Sequence, residues 1–169
     1  MDNKLYIDYL NSLHNYNAQN ENAYGERNID NPYFKEVMVR VGLCDYIKEN
    51  LTVKEPHIII LTGHAGDGKT SIMYQVLTDI GAEFDAKEKL SEITLPNGAQ
   101  CLCVKDFSEI PEEEQENQID RIHVMKKSVD MVKNGDYVFM VANTGPLINT
   151  FGELFDTNEN KEKSRIQLI

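Results

Sequence analysis

The sequence has little of several residue types, and each shortage excludes a class of protein. It has no tryptophan and only three cysteines among 169 residues, an odd number that argues against a disulfide-stapled secreted domain. Ten glycines and five prolines are too few for a collagen-like or low-complexity chain. No apolar run is long enough to span a bilayer, and the N-terminus lacks the basic-then-apolar pattern of a signal peptide. These absences predict a cytoplasmic protein without a membrane partner.

Basic residues are also scarce. Lysine and arginine number 17 against 28 aspartates and glutamates, which gives a formal net charge of −11. Nucleic-acid affinity comes largely from cationic side chains that neutralise phosphates, so this acidic chain is not expected to grip DNA or RNA directly. The length and a hydrophobic fraction of 41% predict one domain with a core.

The three cysteines predict buried, reduced thiols rather than a metal site. Cys101 and Cys103 alternate within an apolar stretch and would share one face of a strand. No CxxC or HxxxH pair accompanies them or Cys44, so zinc is not expected.

The N-terminal part of the chain is predicted to be less regular than the rest. Residues 1–30 form a polar arm in which Tyr6, Tyr9, Leu10 and Leu13 could make one short helix face. The second unit, residues 31–169, begins with a helix predicted over 32–50, in which Gly42 is the weakest position.

Patterned segments then alternate between strand and helix. The expected strands are 57–62, buried on both faces, a hairpin over 92–104 with an Asn-Gly turn, and 137–142. The expected helices are 69–80, closed by Gly81, one that follows the acidic residues 112–116, and a short one over 147–155. In the middle helix the apolar stripe is Ile119, Ile122, Met125, Val129 and Val132. The alternation predicts an α/β fold, a parallel sheet with helices on both faces.

The turn between the first strand and its helix carries the strongest motif. It matches GxxxxGK[ST], the phosphate-binding P-loop, and it lies in the required strand–turn–helix context. We expect its backbone to wrap around phosphates and His64 to shape the loop, whereas Asp67 should point outward, away from like charge. Lys69 should reach the β- and γ-phosphates, the Thr70 hydroxyl should bind Mg²⁺, and the backbone of Ser71 should contact the α-phosphate. The predicted nucleotide-binding residues are Gly63, His64, Ala65, Gly66, Asp67, Gly68, Lys69, Thr70 and Ser71.

A P-loop also needs a carboxylate for Mg²⁺ and a group that positions water. Asp106 follows the 101–104 strand and is the candidate metal ligand beside Thr70; the alternative is a strand-end cap. Asn143 follows the last strand. It would be a neutral water-holding residue if that strand is the third, or a γ-phosphate sensor if it is the fourth. The alternative for Asn143 is an Asx turn that leads into Gly145 and Pro146.

Residues 57–70 resemble P-loop NTPases, and the stretches 105–109 and 141–147 look like strand ends of bacterial AAA-like ATPases. That group includes the ATPase of phosphorothioation-dependent DNA restriction. The resemblance implies an ATP- and Mg²⁺-dependent ATPase that acts as a motor or switch module of a larger assembly, with a role in genome defence. It assigns catalytic roles to Lys69, Asp106 and Asn143. Thr144 replaces the glutamate that often follows Asn in such proteins, so hydrolysis stays open.

The resemblance also implies an incomplete, N-terminal portion of the core. A full core of that type has five parallel strands and an arginine finger, whereas only Arg121 and Arg165 follow the loop. Self-association or the remainder of a longer chain would complete it. Three other functions remain open: a small-molecule phosphotransferase, a GTPase, and a nucleotide-binding module without hydrolysis. Few arginines count against the first, and the lack of Asn-Lys-x-Asp counts against the second.

Overall fold

Helices and strands alternate along most of the chain, as the sequence pattern predicts. The computed structural model describes residues 3–12, 32–33, 41–52, 55–64, 66–85, 88–113 and 119–156. A 3₁₀ turn, Phe107–Glu109, follows the third strand. In the described residues the elements are, in chain order, α1 (Asn3–Ser12), α2 (Gly42–Thr52), β1 (Ile58–Gly63), α3 (Lys69–Asp79), β2 (Leu90–Thr94), β3 (Gln100–Val104), α4 (Arg121–Lys133), β4 (Tyr137–Asn143) and α5 (Thr144–Asp156).

The strands form one sheet in the order β1-β4-β3-β2. The last strand in the sequence, β4, pairs in parallel with β1 on one side and with β3 on the other. β2 runs antiparallel to β3, and the turn between them contains Gly98 with a φ of 86°. The fold is therefore α/β with a mostly parallel sheet, and the predicted hairpin is confirmed.

Helices cover both faces of this sheet. Alternate residues of β3 and β4 point to opposite sides, because side chains alternate along a strand. On the first face, Cys101, Cys103, Phe139 and Val141 pack with α2 and α3. On the second face, α4, α5 and the 3₁₀ turn pack with Leu102, Val104, Val138 and Met140.

β1 is less buried than the sequence predicts. Residues 137–142 of β4 are all buried, as expected for a strand with neighbours on both sides. The four apolar residues of β1, Ile58 to Leu61, are only half-buried. The prediction that β1 is buried on both faces is therefore wrong for the described part of the chain, because β1 lies at the edge of its sheet.

α3 ends as its sequence predicts. Ile80 is its C-cap, and Gly81 follows with a φ of 70°. The Ala82 N–H donates to the Leu77 carbonyl and the Gly81 N–H to the Thr78 carbonyl, each at 3.0 Å. These two bonds form a Schellman motif, in which glycine supplies the left-handed residue.

The predicted apolar stripe of α4 is right in part, because Met125 is buried and Val132 packs against the core. Ile119 precedes the helix and is 51% exposed, and Val129 is 40% exposed. The buried side chains are Arg121, Val124, Met125 and Ser128, a face rotated by about one residue. Both buried polar side chains are hydrogen-bonded. Ser128 Oγ donates to the Val124 carbonyl, and Arg121 donates to main-chain carbonyls of the 3₁₀ turn.

The other helix predictions hold in part. α2 begins at Gly42 rather than containing it, and predicted positions 34–40 lie outside the described residues, as does Leu13. In α1, Tyr9 is buried and its ring lies 6.0 Å from that of Tyr33. α5 begins at Thr144, three residues before the predicted start, because Pro146 fits the first turn of a helix.

The state of the cysteines agrees with the sequence prediction. Cys44, Cys101 and Cys103 are free and buried, as predicted. A hydrogen bond with Cys103 and burial raise the pKa of the Cys101 thiol. Among the residues that the structure describes, no helix has the length and apolar character needed to cross a membrane.

α4 begins after an N-cap residue, Asp120, that was not predicted from the sequence. Asp120 Oδ1 accepts a hydrogen bond from the His123 N–H at 2.7 Å and lies 2.9 Å from His123 Nδ1. Burial alone would raise the pKa of Asp120, but the backbone bond, the ring bond and the charge of His123 outweigh it and lower the pKa. The acidic stretch does not supply the first turn, which contains no acid.

Replacing Asp120 with alanine is expected to lower the free energy of unfolding by about 1 kcal/mol at pH 7, because the helix loses its N-cap. The carboxylate form stabilises the fold, since its folded pKa is depressed. This contribution is present above the unfolded pKa of about 3.9 and is lost as pH falls below it. Urea denaturation of both proteins at pH 7 and pH 3 measures the difference. An equal difference at the two pH values would contradict the assignment, and Asp120→Asn, which keeps a capping oxygen, is the control.

Candidate functional site

The carboxyl ends of β1 and β4 lie side by side, and Gly63 pairs with Asn143 in the register. The chain leaves β1 for α3, which packs on the first face of the sheet, and leaves β4 for α5, which packs on the second. Adjacent strands whose connections turn to opposite faces leave a crevice beyond their carboxyl ends. Open α/β sheets bind their ligands in such a crevice, and here the glycine-rich loop begins at it.

The loop leads into the exposed N-terminus of α3. Gly66 and Gly68 have φ values of 87° and 75°, a left-handed conformation that favours glycine. Gly68 is the N-cap of α3, and its carbonyl accepts from the Ile72 N–H at 3.0 Å. The first turn therefore has N–H groups without intrahelical acceptors, and it contains no acidic side chain. The positive end of the helix dipole faces the loop.

Two charged side chains bond to the loop's own backbone. Lys69 Nζ donates to the His64 carbonyl at 2.6 Å, and Asp67 Oδ2 accepts from the His64 N–H at 2.6 Å. A Cβ at Gly63 would lie only 2.6 Å from the same Asp67 oxygen, so any other residue there would displace the Asp67 carboxylate. The expectation that Asp67 points outward holds in part: its side chain is 53% exposed, but one carboxylate oxygen accepts from a backbone donor of the loop.

The other described residues of the predicted site are His64, Thr70 and Ser71. The His64 side chain is fully exposed, and its backbone N–H and carbonyl hold Asp67 and Lys69. This agrees with the predicted loop-shaping role. Thr70 and Ser71 are half-buried in the first turn of α3. Ala65 lies outside the described residues, so its predicted contact with phosphate is a sequence inference alone.

The position of Asp67 predicts that it opposes phosphate binding. Replacing Asp67 with asparagine is expected to tighten binding of ATP by about fivefold, because a negative charge leaves the loop while an oxygen acceptor for His64 remains. Titration calorimetry measures the change, and Glu153→Gln, which neutralises an exposed acid on α5, is the control for net charge. Weaker binding by Asp67→Asn would show that the carboxylate instead supports the bound state.

Asp106 lies at the same edge of the sheet. Val104 of β3 pairs with Met140 of β4, and Asp106 follows two residues later. Its Oδ1 accepts from the Ser108 N–H at 2.8 Å and caps the 3₁₀ turn. The strand-end cap considered as an alternative is therefore present. It uses one carboxylate oxygen, and the other accepts no hydrogen bond from the described residues.

Asn143 is the last residue of the fourth strand, which lies between β1 and β3. Its backbone N–H donates to Ser108 Oγ at 3.2 Å, so the ends of β3 and β4 are linked. The alternative of an Asx turn into Gly145 and Pro146 is wrong, because α5 begins directly at Thr144. The structure therefore fits the interpretation in which Asn143 ends the fourth strand rather than the third.

Two residues of this edge, Ser108 and Arg121, were not predicted from the sequence to belong to the site. Ser108 bonds to both Asp106 and Asn143, and Arg121 donates to the Ser108 carbonyl at 2.7 Å. A local signal for Ser108 exists, since a residue two positions after an aspartate at a strand end is a usual capping partner. Arg121 carries no such signal, because its partners are 9 to 14 residues away in the sequence.

The oxygen groups at this edge suit magnesium. Among the described residues, no group of three or more His, Cys, Asp or Glu side chains could hold a metal ion alone. Mg²⁺ does not need one, because it keeps several waters and binds through one or two protein oxygens together with substrate phosphates. The Asp106 carboxylate and the Thr70 hydroxyl are such oxygens.

No family model matches the chain, and comparisons with curated proteins and with solved structures also gave no match. What the protein does must therefore be inferred from the geometry and chemistry of this edge.

Proposed function

We propose that this chain binds ATP together with Mg²⁺ at the carboxyl edge of its sheet and hydrolyses it. One observation carries the proposal: the glycine-rich loop, with Lys69 and the N-terminus of α3, lies at the crevice between β1 and β4. Backbone N–H groups, a helix N-terminus and one lysine together make a site for a chain of phosphates. We further propose that the site serves as a motor or switch module of a larger assembly.

The charged groups of the loop would change partners when phosphate binds. Lys69 Nζ would leave the His64 carbonyl and donate to phosphate oxygens, a charge-assisted bond that is stronger than one to a neutral carbonyl. The His64 N–H, freed from Asp67, would become another donor. Thr70 and Asp106 would hold Mg²⁺, which when bound neutralises charge on the β- and γ-phosphates.

Asn143 would orient the reacting groups without exchanging a proton. Its amide does not titrate, but it offers both a donor and an acceptor to a water or a γ-phosphate oxygen. The pairing with Gly63 places Asn143 beside the start of the loop, and the bond from its N–H to Ser108 Oγ holds it next to the Asp106 turn.

Asp106→Asn tests the proposed metal site. The variant keeps an oxygen that can cap the Ser108 N–H, so we expect an intact fold. The affinity for ATP in the presence of Mg²⁺ should fall roughly tenfold, which corresponds to the loss of one bond to a charged group. The affinity in EDTA should not change. Calorimetry under both conditions decides the outcome, and an equal loss in both would show that Asp106 is only a cap.

A nucleotide-binding module without hydrolysis is the second candidate. The observation in its favour is that a neutral residue, Asn143, ends the strand next to the loop. In the described chain, Asp106 carries the one carboxylate that directly follows β1, β3 or β4, so no second acid is placed there to activate water. Phosphate release from ATP with Mg²⁺, measured over hours at high protein concentration, separates the two. Tight binding without any phosphate release would favour the module.

A further inference from the structure

Arg121 is the one buried basic residue in the part of the chain that the structure describes, with 8% of its surface exposed. Its guanidinium donates to three acceptors. Nε lies 3.3 Å from the Phe107 carbonyl, Nη2 lies 2.7 Å from the Ser108 carbonyl, and Nη1 lies 2.6 Å from Glu112 Oε1. All three belong to the 3₁₀ turn and the residues just after it.

Burying the charged guanidinium of Arg121 at this position costs desolvation free energy. An apolar side chain of similar volume would avoid the desolvation of a guanidinium and is often equally stabilising. What arginine adds is a planar fork that fixes two neighbouring carbonyls at once. The Phe107 side chain is itself fully buried, so the turn is held both by its core residue and by its main chain.

The turn held in this way carries the groups of the proposed metal site. Ser108 makes three hydrogen bonds. Its N–H donates to Asp106 Oδ1, its Oγ accepts from the Asn143 N–H, and its carbonyl accepts from Arg121. A shift of Ser108 would therefore move the carboxylate of Asp106 and the end of β4 together.

We propose that Arg121 is a positioning residue for the site at the carboxyl edge of the sheet: it holds Ser108, and through Ser108 it sets the Asp106 carboxylate and Asn143 where Mg²⁺ and phosphate are bound. The inference rests on the proposed function. It also means that Arg121 is not an arginine finger, because its donors are engaged within the protein.

The test compares Arg121→Met and Arg121→Lys with the wild-type chain. Calorimetry gives the affinity for ATP with Mg²⁺ and in EDTA, at a temperature where circular dichroism shows each protein folded. Arg121→Met should lower the affinity with Mg²⁺ by about tenfold, the usual cost of losing a group that orients a metal ligand. The affinity in EDTA should not change, and Arg121→Lys should fall between. Lys127→Met is the control. Lys127 lies on the same helix as Arg121, and the variant removes a charge that forms an exposed ion pair with Glu92 of β2.

Equal losses with Mg²⁺ and in EDTA, or no loss in either, would overturn the positioning role. If Arg121→Met does not fold, Arg121→Lys decides instead, because lysine keeps the charge but lacks the planar fork that binds the Phe107 and Ser108 carbonyls at once. Its expected loss with Mg²⁺ is about threefold, with none in EDTA, and no change with Mg²⁺ would overturn the proposal. A wild-type chain that binds no ATP at all would overturn the proposed function itself. If instead the wild type binds ATP and Mg²⁺ raises the affinity of every variant equally, only the positioning role is overturned.

Discussion

Replacing Lys69 with alanine is expected to weaken ATP binding by at least about tenfold. The ammonium would make charge-assisted bonds to phosphate worth roughly 1.5–3 kcal/mol each, and no other described lysine lies in the loop. The fold should be retained, because in the described structure Lys69 is half-buried and its Nζ bonds to the carbonyl of the exposed residue His64. Calorimetry with ATP measures the loss.

Lys133→Ala is the matched control for Lys69→Ala. Lys133 ends α4 and makes an exposed ion pair with Asp130, so its removal changes the net charge equally and leaves the loop untouched. Its affinity for ATP should equal that of the wild type. Unchanged affinity of Lys69→Ala would remove the phosphate-binding assignment of the loop.

ATP turnover by the dilute chain is expected to be very slow and to rise by about 10³–10⁵ when a second molecule or partner supplies an arginine. The reason is the position of the arginines. Arg121 bonds to Phe107, Ser108 and Glu112, and is therefore engaged away from a γ-phosphate. The other three arginines, Arg27, Arg40 and Arg165, lie outside the described residues.

Turnover measured across protein concentrations, with the oligomeric state followed by light scattering, checks this expectation. If turnover rises with association, replacing each of Arg27, Arg40 and Arg165 with alanine identifies the one that acts. A turnover of several per second by a demonstrably monomeric chain would show that the site is complete without a second arginine.

Features encoded by neighbouring residues could be predicted from the sequence. The glycines, lysine and threonine of residues 63–70 lie within eight positions, so their spacing alone predicts a strand, a phosphate-binding turn and a helix. The Asn-Gly hairpin and the Gly81 helix end are equally local. The structure has each of these elements within a residue or two of the predicted bounds, whereas phosphate binding itself stays a prediction.

Features that depend on partners distant in the sequence could not be predicted in this way. The apolar pattern of α4 favours a face through Val129, but Arg121 and Ser128 are buried because the turn after β3 and the helix backbone accept their hydrogen bonds. The half-burial of β1 depends on strand order, which periodicity does not contain. Charge repulsion from a bound phosphate predicts an outward Asp67, but the carboxylate also accepts from a backbone donor, the His64 N–H.

The central position of β4 has a consequence for how the chain folds. β1 pairs within the described sheet only with β4, and the paired residues Ile58 and Val138 are about 80 residues apart. Contacts of such long sequence separation form slowly, since closure of the intervening loop must precede them. During synthesis, at about 5–20 residues per second, the Ile-Ile-Ile-Leu segment of β1 emerges seconds before its partner. The nascent protein thus carries an unpaired, aggregation-prone strand until residue 143 has left the ribosome.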